Sequence, residues 1–208
     1  GIAGQATIEA TTSTITSDKL KKIVNCHNYG TLTKQGVGGC RCGGISGGAA
    51  TIENCSNEGN IIIDDISTSG AVGGLVGYPT QPYHPVTGSS CKCSITANCD
   101  VAFAVGGLFG QGGNTNQSYE GCSVDCTITT KPSTMTGIIV GTAKTLASGK
   151  TITYGSASSP FKVKGSVNGA TLASDNYTTL LAGDGAASGG VITTAAGGTI
   201  NVANVIFE

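Results

Sequence analysis

Nine cysteines are the most reactive side chains in this sequence, and their spacing limits the chemistry open to them. Zinc sites usually draw cysteines two to four residues apart. Cys40-x-Cys42 and Cys91-x-Cys93 leave a single residue between thiols, and only His27 and His84 stand by to assist, so no metal site and no cofactor are expected. An odd count also prevents full pairing into disulfides. Nucleotide motifs fail residue by residue. Before Gly149-Lys150-Thr151, Lys144 stands where a phosphate loop needs its first glycine, and Gly183-Asp184-Gly185 lacks the last glycine of a dinucleotide fingerprint. Two histidines without a nucleophile signature give no Ser-His-Asp set. Asp64, Asp65 and Asp100 are the one carboxylate group whose spacing suits glycoside hydrolysis, which needs acids about 5 to 9.5 Å apart. Acidic residues at corners are more often solvated turn formers, and a loose calcium site is the other reading of this group. The expectation is a protein that is not an enzyme.

The elements that position these residues follow from an internal repeat. Gly44-Ile45-Ser46-Gly47, Gly74-Leu75-Val76-Gly77 and Gly107-Leu108-Phe109-Gly110 share one phrase, and Gly137-Ile138-Ile139-Val140-Gly141 is a looser copy. Their closing glycines fall 30, 33 and 31 residues apart. Each phrase follows a second one, Cys-x-x-x-Gly-x-aliphatic, seen at Cys26 to Leu32, at Cys55 to Ile61 and, with Cys126 in the glycine place, at Cys122 to Ile128. In the third copy, matching Cys93-Ser94-Ile95-Thr96 to Cys126-Thr127-Ile128-Thr129 puts Ser89 in the first cysteine slot. Three short strand-like runs per repeat, separated by Gly, Asn, Asp and Pro, are too short for a barrel. They predict an all-β, right-handed parallel β-solenoid with about 30–33 residues per coil, equivalent residues stacking ~4.8 Å apart. The repeat region spans 1–145 with a truncated first coil, and 146–208 reads as a C-terminal β cap. A short helix is the reading for 17–22. The opening Gly1-Ile2-Ala3-Gly4 reads as the tail of an earlier phrase, so the chain is expected to be part of a longer parent.

Composition narrows the partners. A net charge of −1, 11% charged residues and a single arginine, Arg41, supply no basic surface for nucleic acid or anionic lipid. No apolar run approaches the ~18 residues of a membrane span. A hydrophobic content of 38% excludes a disordered chain.

The runs Asn25-Cys26-His27-Asn28-Tyr29-Gly30-Thr31-Leu32 and Asn54-Cys55-Ser56-Asn57-Glu58-Gly59-Asn60-Ile61, with the Gly-Leu-x-Gly phrases, resemble the bacterial GLUG-motif repeat over about residues 24–141. The resemblance implies a secreted or cell-surface β-solenoid, commonly part of adhesin-like or protease-associated chains, and supplies no catalytic residues. Ile138 and Cys126 depart from the motif.

Two sites are expected on this frame. Loops lengthen after two consecutive Gly-Leu-x-Gly phrases, gathering Tyr78, Tyr83, His84, Asn114, Asn116, Gln117 and Tyr119 on one edge, where aromatic faces and amides suit a glycan or a surface protein. A spacer or stalk without a ligand is the alternative, and a polysaccharide-active enzyme a distant third. Cys26, Cys55 and Cys122 share a slot and are expected to form a buried, reduced, structural ladder. On that reading, Cys55→Ser swaps a buried apolar group for a hydroxyl needing a partner and costs roughly 1–3 kcal/mol.

Overall fold

Each turn of the chain starts at a residue with a left-handed backbone: Asn25 (φ 54°), Asn54 (φ 53°), Gly88 (φ 56°), Gly121 (φ 61°) and Gly155 (φ 75°). Glycine pays no steric cost there, and asparagine is among the few other residues that visit the region readily. The computed structural model describes residues 22–36, 38–48, 51–64, 68–78, 85–101, 103–113, 115–132, 134–143, 146–173, 175–176, 182–183, 185–188 and 190–208. The helix expected at 17–22 lies outside them except for Lys22, which opens a strand.

The first coil holds β1 (Lys22–Val24), β2 (His27–Asn28), β3 (Leu32–Lys34) and β4 (Arg41–Gly43). The second holds β5 (Thr51–Glu53), β6 (Ser56–Asn57), β7 (Ile61–Asp64) and β8 (Gly70–Gly73). In the third come β9 (Val86–Thr87), β10 (Ser90–Asn98), β11 (Phe103–Gly106) and β12 (Phe109–Gln111). The fourth has β13 (Gln117–Glu120), β14 (Ser123–Thr130), β15 (Met135–Gly137) and β16 (Val140–Thr142). Equivalent strands pair in parallel, as in β1-β5-β9-β13 and β4-β8-β11-β15, giving a parallel β-solenoid of about four turns. Among the described residues the chain is all-β, and no helix is long and apolar enough to cross a membrane.

Period-two alternation sends one face of each strand inward. Along β10 the buried residues are Cys91, Cys93, Ile95 and Ala97, while Lys92, Ser94, Thr96 and Asn98 face solvent. Register then turns single positions into columns, such as Leu32–Ile61–Ile95–Ile128–Val167, which fill the core. The Gly-Leu-x-Gly phrase makes a reversal. A Cβ on Gly73 would lie 2.0 Å from the Val76 carbonyl oxygen, and one on Gly110 would lie 2.4 Å from the Val72 amide nitrogen, so the returning segment runs backbone to backbone against the preceding coil. Ile45, Leu75, Leu108 and Ile139, all buried, stack between these glycines through N–H donation from each to the carbonyl of the next.

Past Thr145 the stack continues. β17 (Thr151–Tyr154) and β18 (Phe161–Val167) pair in parallel with β13 and β14. After β19 (Ala170–Thr171), β20 (Gly185–Ser188) and β21 (Val191–Thr194), strands β22 (Thr199–Asn201) and β23 (Val205–Phe207) pair in parallel onto β17 and β18. The antiparallel pairings among the described residues are β18–β19, β20–β21 and β21–β22, with one isolated bridge between Ala147 and Gly197. The sequence change after Thr145 therefore marks the end of the Gly-Leu-x-Gly phrase, not the end of the coil path.

Candidate functional site

A groove opens where each reversal leaves the sheet β4-β8-β11-β15. Its floor is one register row, Arg41–Ala71–Ala104–Met135, three residues before the phrases that open at Gly44, Gly74 and Gly107 and two before Gly137. Its wall is the row just after the closing glycine: Tyr78, Gln111 and Thr142. The groove has a volume of about 410 Å³ and also takes in Ser69 and Cys40. Small floor side chains leave the space, and the Arg41 guanidinium closes one end, 4.5 Å above the Tyr78 ring, within cation–π range. Cys40 donates a hydrogen bond to Cys42, which pushes the Cys40 thiol up and draws the Cys42 thiol down.

The residues expected on the ligand edge divide. Tyr78 lines the groove. Tyr83, His84 and Asn114 lie outside the described residues. Asn116 is exposed, and its Oδ1 accepts a hydrogen bond from the Thr151 amide at 2.8 Å. Tyr119 and Gln117 correct the expectation: they are 1% and 6% exposed, because β13 alternates and both fall on its inward face. Tyr119 donates its phenol proton to Gln117 Oε1 and sits in an aromatic run Phe109–Tyr119–Tyr154–Phe161 with centroids 4.8–5.3 Å apart. Its ring is a core element with no face left for a ligand. Burial pushes both tyrosine hydroxyls up.

Among the carboxylates, Asp64 lies opposite Asn98, and Asp100 is exposed and paired with Lys131 Nζ at 2.7 Å, while Asp65 lies outside the described residues. His27 is exposed, its Nδ1 2.8 Å from Ser56 Oγ and its ring stacked on Tyr29.

The cysteine slot has a geometric purpose. The left-handed residue before it turns a carbonyl inward, and the slot side chain donates to it: Cys26 to Val24 O at 3.4 Å, Cys55 to Glu53 O at 3.3 Å, Ser89 to Thr87 O at 2.9 Å and Cys122 to Glu120 O at 3.4 Å. Cys55 and Ser89 also accept the backbone N–H of the slot residue one coil earlier, Cys26 N to Cys55 Sγ at 3.4 Å and Cys55 N to Ser89 Oγ at 3.0 Å. Cys55 and Cys122 are buried and Cys26 is half-buried, and all three are free thiols. Burial pushes Cys122 up to about 11 and raises Cys55 as well. Ser89 shows that the partner a hydroxyl needs here is present, in the Thr87 carbonyl and the Cys55 amide.

Sequence reasoning missed a second group of thiols. Cys91 and Cys93 share the inward face of β10, and Cys126 stacks on Cys93 in register. Their sulfurs lie 3.3 Å (91–93), 3.8 Å (93–126) and 3.5 Å (91–126) apart, and all three are buried. Cys93 accepts from Cys126 and Cys91, with help from the Asn57 amide, and these bonds draw its thiol down to about 4 against the opposing effect of burial. Hydrogen bonding with Cys126 and Cys93, then burial, push Cys91 well up. Cys126 is lowered by Cys91, but donation to Cys93 and burial together leave it raised. The group replaces an amide ladder of the first coils, where Asn28 Nδ2 donates to Asn57 Oδ1 at 2.7 Å and Asn57 stands in register with Cys91. The signal was present in the 33-residue offset of Cys93 and Cys126, which the linear spacing of Cys91-x-Cys93 conceals.

No protein-family model matches the chain, and no curated protein or solved structure is similar to it at a significant level.

Proposed function

We propose that this solenoid is a non-catalytic, secreted or cell-surface module of an adhesin-like protein that binds a glycan in the groove between the Arg41–Met135 row and Tyr78, Gln111 and Thr142. The observation that carries the reading is the groove itself, with a floor of Ala71, Ala104 and Met135 and polar groups at its rim. A pyranose ring has the matching division, an apolar C–H face and a hydroxyl edge, and small-molecule sites combine apolar lining with a few placed polar groups in the same way. The commitment of Asp100 to an ion pair with Lys131 favours binding over hydrolysis. The surface location rests on the resemblance of the Asn-Cys-x-Asn-x-Gly and Gly-Leu-x-Gly phrases to GLUG-motif repeats.

A glycan array tests the proposal. Retention of the wild-type chain on a defined glycan, lost in Arg41→Ala and Tyr78→Ala, is the expected result. Retention by neither chain on any glycan leaves the stalk as the function. Release of oligosaccharide from a polysaccharide panel makes it an enzyme.

A further inference from the structure

The Cys91–Cys93–Cys126 group plays no part in groove binding, and its geometry is that of a ligand set. The point equidistant from sulfurs 3.3, 3.5 and 3.8 Å apart lies about 2 Å from each, so an outward shift of a few tenths of an ångström reaches the ~2.3 Å of a metal–thiolate bond. The backbone holds the sulfurs there. Two ligands come from one strand face and the third from the neighbouring coil, and glycines close over them. A Cβ on Gly74 would come within 2.2 Å of Cys91 Sγ, and one on Gly107 within 3.3 Å of Cys126 Sγ. No imidazole or carboxylate joins the three thiols among the described residues. Structural zinc sites close with four ligands, whereas an all-thiolate set of low coordination selects a soft monovalent ion. The Asn57 amide nitrogen, 3.9 Å from Cys91 Sγ, supplies an outer hydrogen-bond donor of the kind that steadies metal ligands.

We propose that Cys91, Cys93 and Cys126 hold a single Cu(I) ion in trigonal thiolate coordination inside the solenoid. Cys91 and Cys126 are 1% exposed and Cys93 9%, so the ion enters as β14 stacks on β10 during folding. The thiol protons pass to solvent as the copper–sulfur bonds form, and no electron is transferred.

The test refolds the full chain anaerobically with Cu(I) supplied as its acetonitrile complex, removes loose copper with bathocuproine on gel filtration, and reads copper per chain and the copper X-ray absorption edge. The proposal expects stoichiometric copper with three sulfur neighbours and no nitrogen or oxygen, bound copper falling at least about tenfold in Cys126→Ser, and unchanged copper in Cys122→Ser. Substoichiometric copper in the wild type, a light-atom ligand, or copper retained by folded Cys126→Ser overturns it. Where Cys126→Ser does not fold by circular dichroism, the wild-type absorption spectrum decides alone, since two sulfurs or a mixed shell contradicts the trigonal site. Zinc that displaces copper in a parallel refolding overturns the choice of ion.

Discussion

At the left-handed corner the slot side chain has one task, to satisfy a carbonyl turned inward and an N–H from the coil before, and Ser89 performs it with the same partners as its cysteine neighbours. What the position requires is a small group that both donates and accepts. Cys55→Ser is therefore expected to change stability by less than about 1 kcal/mol, while Cys55→Val, of similar bulk but without a polar group, leaves the Cys26 amide unsatisfied, removes one of the two donors to the Glu53 carbonyl and costs about 1–3 kcal/mol. Urea midpoints at unchanged slope measure both. Equal losses for serine and valine would mean that packing alone governs the slot.

Among the elements, the reversal built on Gly-Leu-x-Gly is the least tolerant. A Cβ on Gly74 would meet the Gly107 carbonyl oxygen at 2.1 Å as well as Cys91 Sγ, and a backbone atom cannot swing aside. Gly74→Ala should cost at least about 1–3 kcal/mol by chemical denaturation, and wild-type stability would contradict the backbone contact. Ile138 occupies the equivalent place in the fourth coil, where the Cys93–Cys126 column continues into Gly165, a residue without a side chain. This is also the scale at which the sequence was most legible. Glycine at the reversal of the first three coils and Cys or Ser at the corner recur as words, and their period points to the solenoid. The groove was half legible. Tyr78 follows a closing glycine and was singled out, but Arg41, Ala71, Ala104 and Met135 share only a position and no chemistry, so nothing in the text joins them. Tyr119 was misplaced because loop length was weighed above the alternation of Gln117, Ser118, Tyr119 and Glu120. Beyond Thr145 the strands carry on the parallel pairing without the glycine phrase, so no repeated word marks them in the sequence.

For the whole molecule, the buried thiols and phenols make stability fall on the alkaline side. Cys122, raised by burial from an ordinary value near 9 to about 11, keeps its proton in the folded chain while the unfolded chain loses it. Its contribution is thus fully present below about pH 9 and lost as pH rises to 11, roughly 3 kcal/mol for a shift of that size, with Tyr119 and Tyr154 acting in the same direction at higher pH. Thermal midpoints should decline between pH 9 and 11, and a flat profile there would contradict this burial. The same stacking that hides these groups assembles the groove from four coils, and the sequence has placed one convenient reporter in it. Met135 is the only methionine of the chain and lines the groove floor. A 13C-methyl spectrum of methionine-labelled protein contains a single Met resonance, titrated with a glycan that the array retains. The account predicts that this resonance shifts and saturates along with binding, and that Arg41→Ala abolishes the shift. Saturable binding with the Met135 signal unmoved would place the ligand elsewhere and contradict the groove as the functional site.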